Sequence, residues 1–169
     1  MALLQILTYP DKFLAQPTKP VKNIDGKLQD IIRNMSETMY DAPGTGLAAI
    51  QVGIDQSILI YDLSPRDDEH SLQVLINPRI VTREGEVISE NEGCLSVPEY
   101  RSDVKRAASV LVEGYDPHEK PLRLEAHGFH AIVLQHEIDH LEGTLFIDRI
   151  SALKRRLYKN RVKKWIKNR

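Results

Sequence analysis

Gln135-His136-Glu137-Ile138-Asp139-His140 carries two imidazoles four residues apart, with a carboxylate beside the first. On a helix, positions i and i+4 lie one turn apart on the same face, so both rings can reach one metal ion. Glu137 can then take a proton from water at that ion. A solvated helix with ordinary surface pairs is the plainer reading of the same hexad. The preceding turn argues against it. Ile132 and Val133 share the side of His136, Glu137 and His140, and branched aliphatics running into a polar stripe suit a metal beside an apolar pocket. The helix is expected over 128–142, stopped by Gly143.

Two His leave a catalytic site short, because such sites use three protein ligands and one open position. Downstream, the residue six places after His140 is Phe146, and the only acids are Glu142 and Asp148. Neither has the spacing expected of an HExxH protease, so the third ligand should come from upstream. Cys94, the only cysteine, is the best candidate, since thiolate binds zinc or iron(II) strongly. Its alternative is a buried thiol acting as a small hydrophobe. His70, His118, His127 and His130 are expected at the surface or in packing. His130, six positions before His136, is turned by about 600° and projects to the far face.

Further out, 26–40 reads as an amphipathic helix with Leu28, Ile31, Ile32, Met35 and Met39 on one face, ended by Asp41-Ala42-Pro43-Gly44. The small residues of 44–53 let the backbone approach another object closely. Strands are expected at 57–63, at 73–76 with a stop at Asn77-Pro78, and at 80–89 with a break at Gly85. Segment 92–98, which carries Cys94, reads as irregular. Segments 104–115 and 121–125 read as a hairpin across the turn 116–120. A last helix spans 151–167, capped by Ser151, with Leu153, Leu157, Val162, Trp165 and Ile166 as a narrow apolar stripe. This order predicts an α+β fold: mostly antiparallel strands packed around a central metal-binding helix, with N- and C-terminal helices. One domain is expected over 1–169, including the basic helix 151–168.

The 169 residues are 41% hydrophobic and 28% charged, as in an ordinary soluble globule. A single cysteine allows no internal disulfide and fits a reducing compartment. The N-terminus does not read as a secretory signal and no run approaches a membrane span, so a cytoplasmic protein is expected. The net charge of −1 hides an asymmetry: nine of the 23 Lys and Arg lie between Lys154 and Arg169 with no acid, leaving 14 against all 24 acids in the body. The tail is either a solvated amphipathic helix docked by Leu153, Leu157 and Trp165, or an arm that faces RNA. Its narrow stripe disfavours a membrane surface.

Three segments together are similar to one family, the peptide deformylases. Gly44-Thr45-Gly46-Leu47-Ala48-Ala49-Ile50-Gln51 resembles its GxGLAAxQ motif, Glu92-Gly93-Cys94-Leu95-Ser96 its EGCLS motif, and 135–140 its QHExDH motif, in the family's order. The resemblance covers essentially the whole chain. It implies that Cys94, His136 and His140 hold one divalent metal and that Glu137 is the general acid/base. It also implies that Gln51 and the backbone N–H of Leu95 stabilise the oxyanion. Iron(II) is the implied native metal, with zinc, nickel or cobalt able to substitute. The implied substrate is the N-formyl-methionyl end of a nascent peptide, and the product is formate. Gly46, Arg101, Phe129, Ile132 and Val133 are the substrate-contacting candidates. Each of the last three equally fits the core, and Arg101 equally fits an ordinary surface charge. Basic C-terminal helices accompany ribosome association in one bacterial class of the family; a monomer is expected. Two competing functions remain at this point: a zinc endopeptidase, which lacks its downstream ligand, and an RNA-binding module with a structural metal, which leaves Glu137 without purpose.

Overall fold

A computed structural model describes residues 2–169. Seven strands and three α-helices follow the order α1 (Gly26–Asp41), β1 (Gly46–Ala48), β2 (Ile58–Tyr61), β3 (Gln73–Glu84), β4 (Val87–Cys94), β5 (Val97–Arg106), β6 (Ser109–Tyr115), β7 (Pro121–His127), α2 (Gly128–Leu141) and α3 (Ala152–Lys167). Short 3-10 turns at Lys12–Ala15, Ala49–Val52 and Phe146–Arg149 join them. Five strands form one sheet in the order β1-β2-β3-β6-β7, and β4-β5 form a separate hairpin. Every pairing is antiparallel. The α+β expectation holds.

The large sheet is covered on both faces. In β2, Leu59 and Tyr61 join the cluster that holds Leu134, Ile138 and Leu141 of α2. Ile58 and Ile60, pointing the other way, join Leu28, Ile32, Met35 and Met39 of α1. Period-two alternation thus puts aliphatic residues on both sides, which is why β2 reads as an unbroken apolar run. Helix α1 starts where Asp25 accepts the Leu28 N–H at 3.0 Å, a cap typically worth about 1 kcal/mol. Helix α2 is held between sheet and hairpin, and Gly143 ends it by turning left-handed (φ +80°), at a place where a Cβ would meet the Ala15 backbone at 2.8 Å.

Several expected boundaries shift. The strand expected to stop at Asn77-Pro78 instead runs on to Glu84, with a register shift between Ile76 and Arg79. Asn77 takes a left-handed φ of 52° there, and its amide clasps the Val21 backbone at 2.8 and 3.0 Å. Proline, having no N–H, is tolerated at such a bulge. The strand expected at 57–63 shortens to Ile58–Tyr61, and β1 was not foreseen. Segment 92–98 is not irregular: it is the tip of the β4-β5 hairpin. Segment 104–115 divides at Ala107-Ala108 into β5 and β6. The docking stripe of α3 also differs. Leu153, Leu157 and Ile166 are exposed, and Tyr158 and Val162 are the residues buried against Val97, Val104 and Phe146. No helix among the described residues is long and apolar enough to cross a membrane.

Candidate metal centre

Helix α2 delivers both imidazoles, with His136 Nε2 and His140 Nε2 3.2 Å apart. Cys94 Sγ lies 3.3 Å from His140 Nε2, and the three ligand atoms fall within 4.8 Å of one another. Nitrogens bonded tetrahedrally to one ion at about 2.0–2.1 Å would stand about 3.3 Å apart, so this spacing fits a single metal. The hairpin brings the thiol there. Ser89 and Glu92 both face inward although three residues apart, which a regular strand forbids. The register shift between them re-phases the strand so that Glu92 and Cys94 share the inner side. The Ser96 N–H donates back to Cys94 Sγ at 3.4 Å.

His136 is oriented from behind, whereas His140 Nδ1 is buried with no hydrogen-bond partner. His136 Nδ1 donates to Glu92 Oε1 at 2.6 Å, leaving Nε2 for the metal. Burial would lower the His136 pKa, but contact with Cys94 and Glu92 raises it well above the usual histidine value. His140 is driven the other way by burial and by the charges of His136 and Arg106, so it stays neutral. Burial also opposes ionisation of Glu92, yet His136 and Arg106 hold its carboxyl down to about 2. Gln135 fixes the start of this turn by pairing with both backbone groups of Ala107, at 2.9 and 3.0 Å.

Glu137 is buried, and its Oε1 sits 4.0 Å from His136 Nε2. Its Oε2 has no hydrogen-bond partner, an arrangement that costs stability unless the atom serves a ligand. Burial pushes its carboxyl up to about 7; Glu92 and Asp139 add to the rise, and His136 and Arg106 oppose it. Gly46 explains how the carboxylate fits. A Cβ at Gly46 would stand 2.7 Å from Glu137 Oε1, so the object approached by the glycine-rich run is this side chain. Gln51 lies in the next turn of chain. Its Oε1 accepts the Ala48 N–H at 2.9 Å, which aims the NH₂ group towards Ser96 Oγ (3.0 Å) and Cys94 Sγ (3.5 Å).

A cleft of about 930 Å³ opens above these groups. Gly46, Gln51, Cys94, Leu95, Arg101, Phe129, Ile132, Val133, His136 and Glu137 all line it, so every sequence-derived site residue except the deeply buried His140 meets there. Phe129 stands exposed at the mouth and Val133 is buried. Arg101 lies across Gly93 on the rim, donating to the Asn91 carbonyl at 3.2 Å. His70, His118 and His127 are exposed and His130 bonds Tyr61 Oη at 2.9 Å, away from the centre, as expected.

Sequence reasoning gave no role to Glu92, Ser96, Arg106, Asp139 or Arg149. One signal was available. Ser102, Val104 and Arg106 are buried in alternation with exposed Arg101, Asp103 and Lys105, and an arginine in phase with an inward valine needs a buried counter-charge.

Three protein donors would leave one position of a four-coordinate ion for water or substrate, and the buried acid beside them has its carboxyl pushed up to about 7. Such a combination defines a metal-dependent hydrolase. Comparison with known proteins narrows the class. The polypeptide deformylase family model matches residues 3–156. A peptide deformylase of Desulfosudis oleivorans is 55% identical over 99% of this chain and 96% of its own. A crystal structure of the Legionella pneumophila peptide deformylase superposes with a TM-score of 0.89 at 42% identity, covering 98% of this chain and 96% of that one. A Met-Ala-Ser-bound class I type b peptide deformylase from Acinetobacter baumannii gives a TM-score of 0.83 at 32% identity, over 88% of this chain and 99% of that one. The chain belongs to the polypeptide deformylase family. Its activity is that of the family, metal-dependent removal of the N-formyl group from newly made polypeptides.

Proposed function

We propose that this chain deformylates the formyl-methionyl end of nascent peptides through a division of labour among the residues of the cleft. Cys94, His136 and His140 would hold one divalent ion. The observation that carries the reading is the convergence of these three at the floor of a single cleft, beside a buried Glu137 with an unpartnered oxygen. Bound there, such an ion would supply Lewis acidity toward the formyl carbonyl and toward water near neutral pH.

Glu137 accepts the proton of the attacking water and delivers it to the departing amine. A carboxyl near neutrality suits both transfers. The Gln51 NH₂ group, with its oxygen tied down by Ala48, would exchange its long contact with Cys94 Sγ for a bond to the developing oxyanion, helped by the Leu95 N–H. Phe129, Ile132 and Val133 form the apolar wall for the methionine side chain, Gly46 leaves room for the formyl end, and Arg101 steadies the peptide backbone from the rim. That the Acinetobacter relative binds Met-Ala-Ser supports a methionine-led peptide as the product.

Iron(II) is the proposed native metal, with zinc, nickel or cobalt able to substitute; a thiolate with two imidazoles suits these ions. The chain is proposed to act as one domain over 1–169, as a monomer in the cytoplasm. Burial of Tyr158 and Val162 against the hairpin supports a single unit, and the lone free thiol supports a reducing compartment. The basic α3 is proposed to meet the ribosome, supported by its exposed Lys154, Arg156, Lys163, Lys164 and Lys167. Replacing these five with Gln should weaken ribosome co-sedimentation at low salt and leave peptide turnover intact; undiminished sedimentation would defeat that part.

The central test is formate release from formyl-Met-Ala-Ser. Glu137→Gln should lower it by about 10²–10⁴-fold while metal content stays constant. Cleavage of internal peptide bonds would favour an endopeptidase instead, and metal content without hydrolysis would favour a structural site.

A further inference from the structure

Behind the centre, charged side chains alternate from the metal ligand to the surface. His136 Nδ1 donates to Glu92, and Arg106 grips the same carboxylate through Nη2 and, at 3.2 Å, Nε. The third nitrogen of that guanidinium, Nη1, donates to Asp139 Oδ2 at 2.7 Å. Arg149 then closes on Asp139 with two parallel bonds, Nε to Oδ2 at 2.6 Å and Nη2 to Oδ1 at 2.7 Å. Side-chain exposure is 6% for Glu92, 2% for Arg106 and 5% for Asp139, but 41% for Arg149.

The charges do not balance without the outermost member. With His136 neutral as a metal ligand, two buried carboxylates face one buried guanidinium, and an uncompensated charge in such surroundings is strongly unfavourable. Arg149 supplies the second positive charge. Arg106 has one guanidinium to divide between two carboxylates. Deprived of Arg149, Asp139 would draw Arg106 to itself, the grip on Glu92 would open, and the carboxylate that fixes the His136 ring would lose its own anchor. Glu92 and His136 are 44 residues apart, so no local backbone constraint replaces it.

We propose that Arg149, in the turn leading to α3, is a positioning residue for the metal centre: through Asp139, Arg106 and Glu92 it holds the His136 ring in ligating orientation. The inference rests on the metal reading given above.

The test uses Co²⁺-loaded protein and two readouts, the visible absorption of the ion and its rate of loss to excess EDTA. Cys94→Ser serves as the control. Removing a group directly behind a ligand typically costs 10–100-fold in metal affinity, so Arg149→Ala, three residues further out, should release Co²⁺ about 3–10-fold faster. Its absorption band should shift, and kcat should fall with KM little changed. Arg149→Lys keeps the charge but loses the fork, and should fall between the two. Wild-type release and spectrum in Arg149→Ala, even with a lower Tm, would overturn the proposal and leave Arg149 a structural residue. If Arg149→Ala does not fold, wild-type release in Arg149→Lys overturns it equally. Wild-type retention in Cys94→Ser would instead overturn the metal reading itself, a separate failure.

Discussion

Gly46→Ala is a one-carbon change whose nearest neighbour is the proposed proton-transferring group. The new Cβ would stand 2.7 Å from Glu137 Oε1 and 3.0 Å from its Cγ and Cδ. Ordinary van der Waals contact begins at 3.4 Å, so something must yield by 0.7 Å. Strand β1 cannot. Gly46 pairs with Tyr61, and the next two residues, Leu47 and Ala48, are fully buried against α1 and α2 respectively. The backbone of α2 cannot either, because Leu134 and Ile138 are in the core and Gln135 is pinned to Ala107. The Glu137 side chain must therefore swing, and its unpartnered Oε2 offers no restraint. Misplacement of a reacting group by about 1 Å can cost about 10²-fold in rate, which is the loss expected in kcat. Overpacking should add about 1–3 kcal/mol of destabilisation. The three proposed metal ligands are untouched, so metal content should not change. The assay is formate release from formyl-Met-Ala-Ser, with metal analysis and thermal unfolding on the same samples. In the background of Glu137→Gln, Gly46→Ala should cost nothing further in rate. A kcat within about twofold of wild type, with metal retained, would refute the argument that this glycine makes room for the general base.

Other parts of the reading can be probed as directly. Glu92→Gln should weaken metal retention about 10–100-fold, measured by chelator competition, because His136 loses its carboxylate partner. Tyr158→Ala should cost about 3–5 kcal/mol in denaturant unfolding, since its ring is buried with Val97, Val104, Phe146 and Val162. Asp62 predicts an acid limb of stability. Burial alone would raise its pKa, but hydrogen bonds from the Ser64 hydroxyl, Tyr40 Oη, Ser64 N–H and Ser71 N–H hold it well below the usual carboxylate range. A folded pKa below the unfolded one gives stability that is fully present above about pH 4 and lost as pH falls through the folded value. Asp62→Asn should flatten the fall in unfolding midpoint between about pH 4 and pH 2; an unchanged slope would remove Asp62 from the account.

The convergence of Cys94, His136 and His140 was legible because it obeys local or chemical rules. His136 and His140 follow from helical spacing, and Cys94 follows from the ligand deficit and the absence of any other thiol. The Gly85 break, the Ser151 cap and the Gly143 stop were legible for the same reason. What failed was non-local. Asn77-Pro78 looks like a strand end until Val21, 56 residues away, supplies the backbone groups that Asn77 clasps. The tip of the β4-β5 hairpin looked irregular because bulges break its alternation, and those bulges are what turn Glu92 and Cys94 inward. The polar residues of α2 posed the same difficulty. Asp139, seven positions after Ile132, falls on the same inward side of a helical projection, but nothing local reveals its counter-charges, because Arg106 and Arg149 arrive from the hairpin and from the turn before α3.

The basic helix shows how composition can be right about charge and misleading about attachment. Nine cations in 154–169 suggested either a docked helix or an outward arm, and the residues divide between both roles. The Arg161 guanidinium lies 5.2 Å from the Trp165 ring centre and 5.8 Å from that of Tyr100, and it donates to the Glu99 carbonyl at 2.6 Å. Tyr158 Oη donates to the Pro98 carbonyl at 3.3 Å. Arg161 is thus spent on docking, and the surface it docks against, Pro98-Glu99-Tyr100, is itself part of the wall of the metal cleft. Cutting the chain after Leu153 would therefore not remove an independent arm. It would strip Tyr158 and Val162 from a core and leave the cleft wall unsupported, so any loss of activity would say nothing about binding by the charges. Only the outward-facing lysines and arginines can be altered without that confusion. A partner gripping them would stand beside the mouth of the cleft, because the same helix that carries the charge is fastened to the cleft's edge.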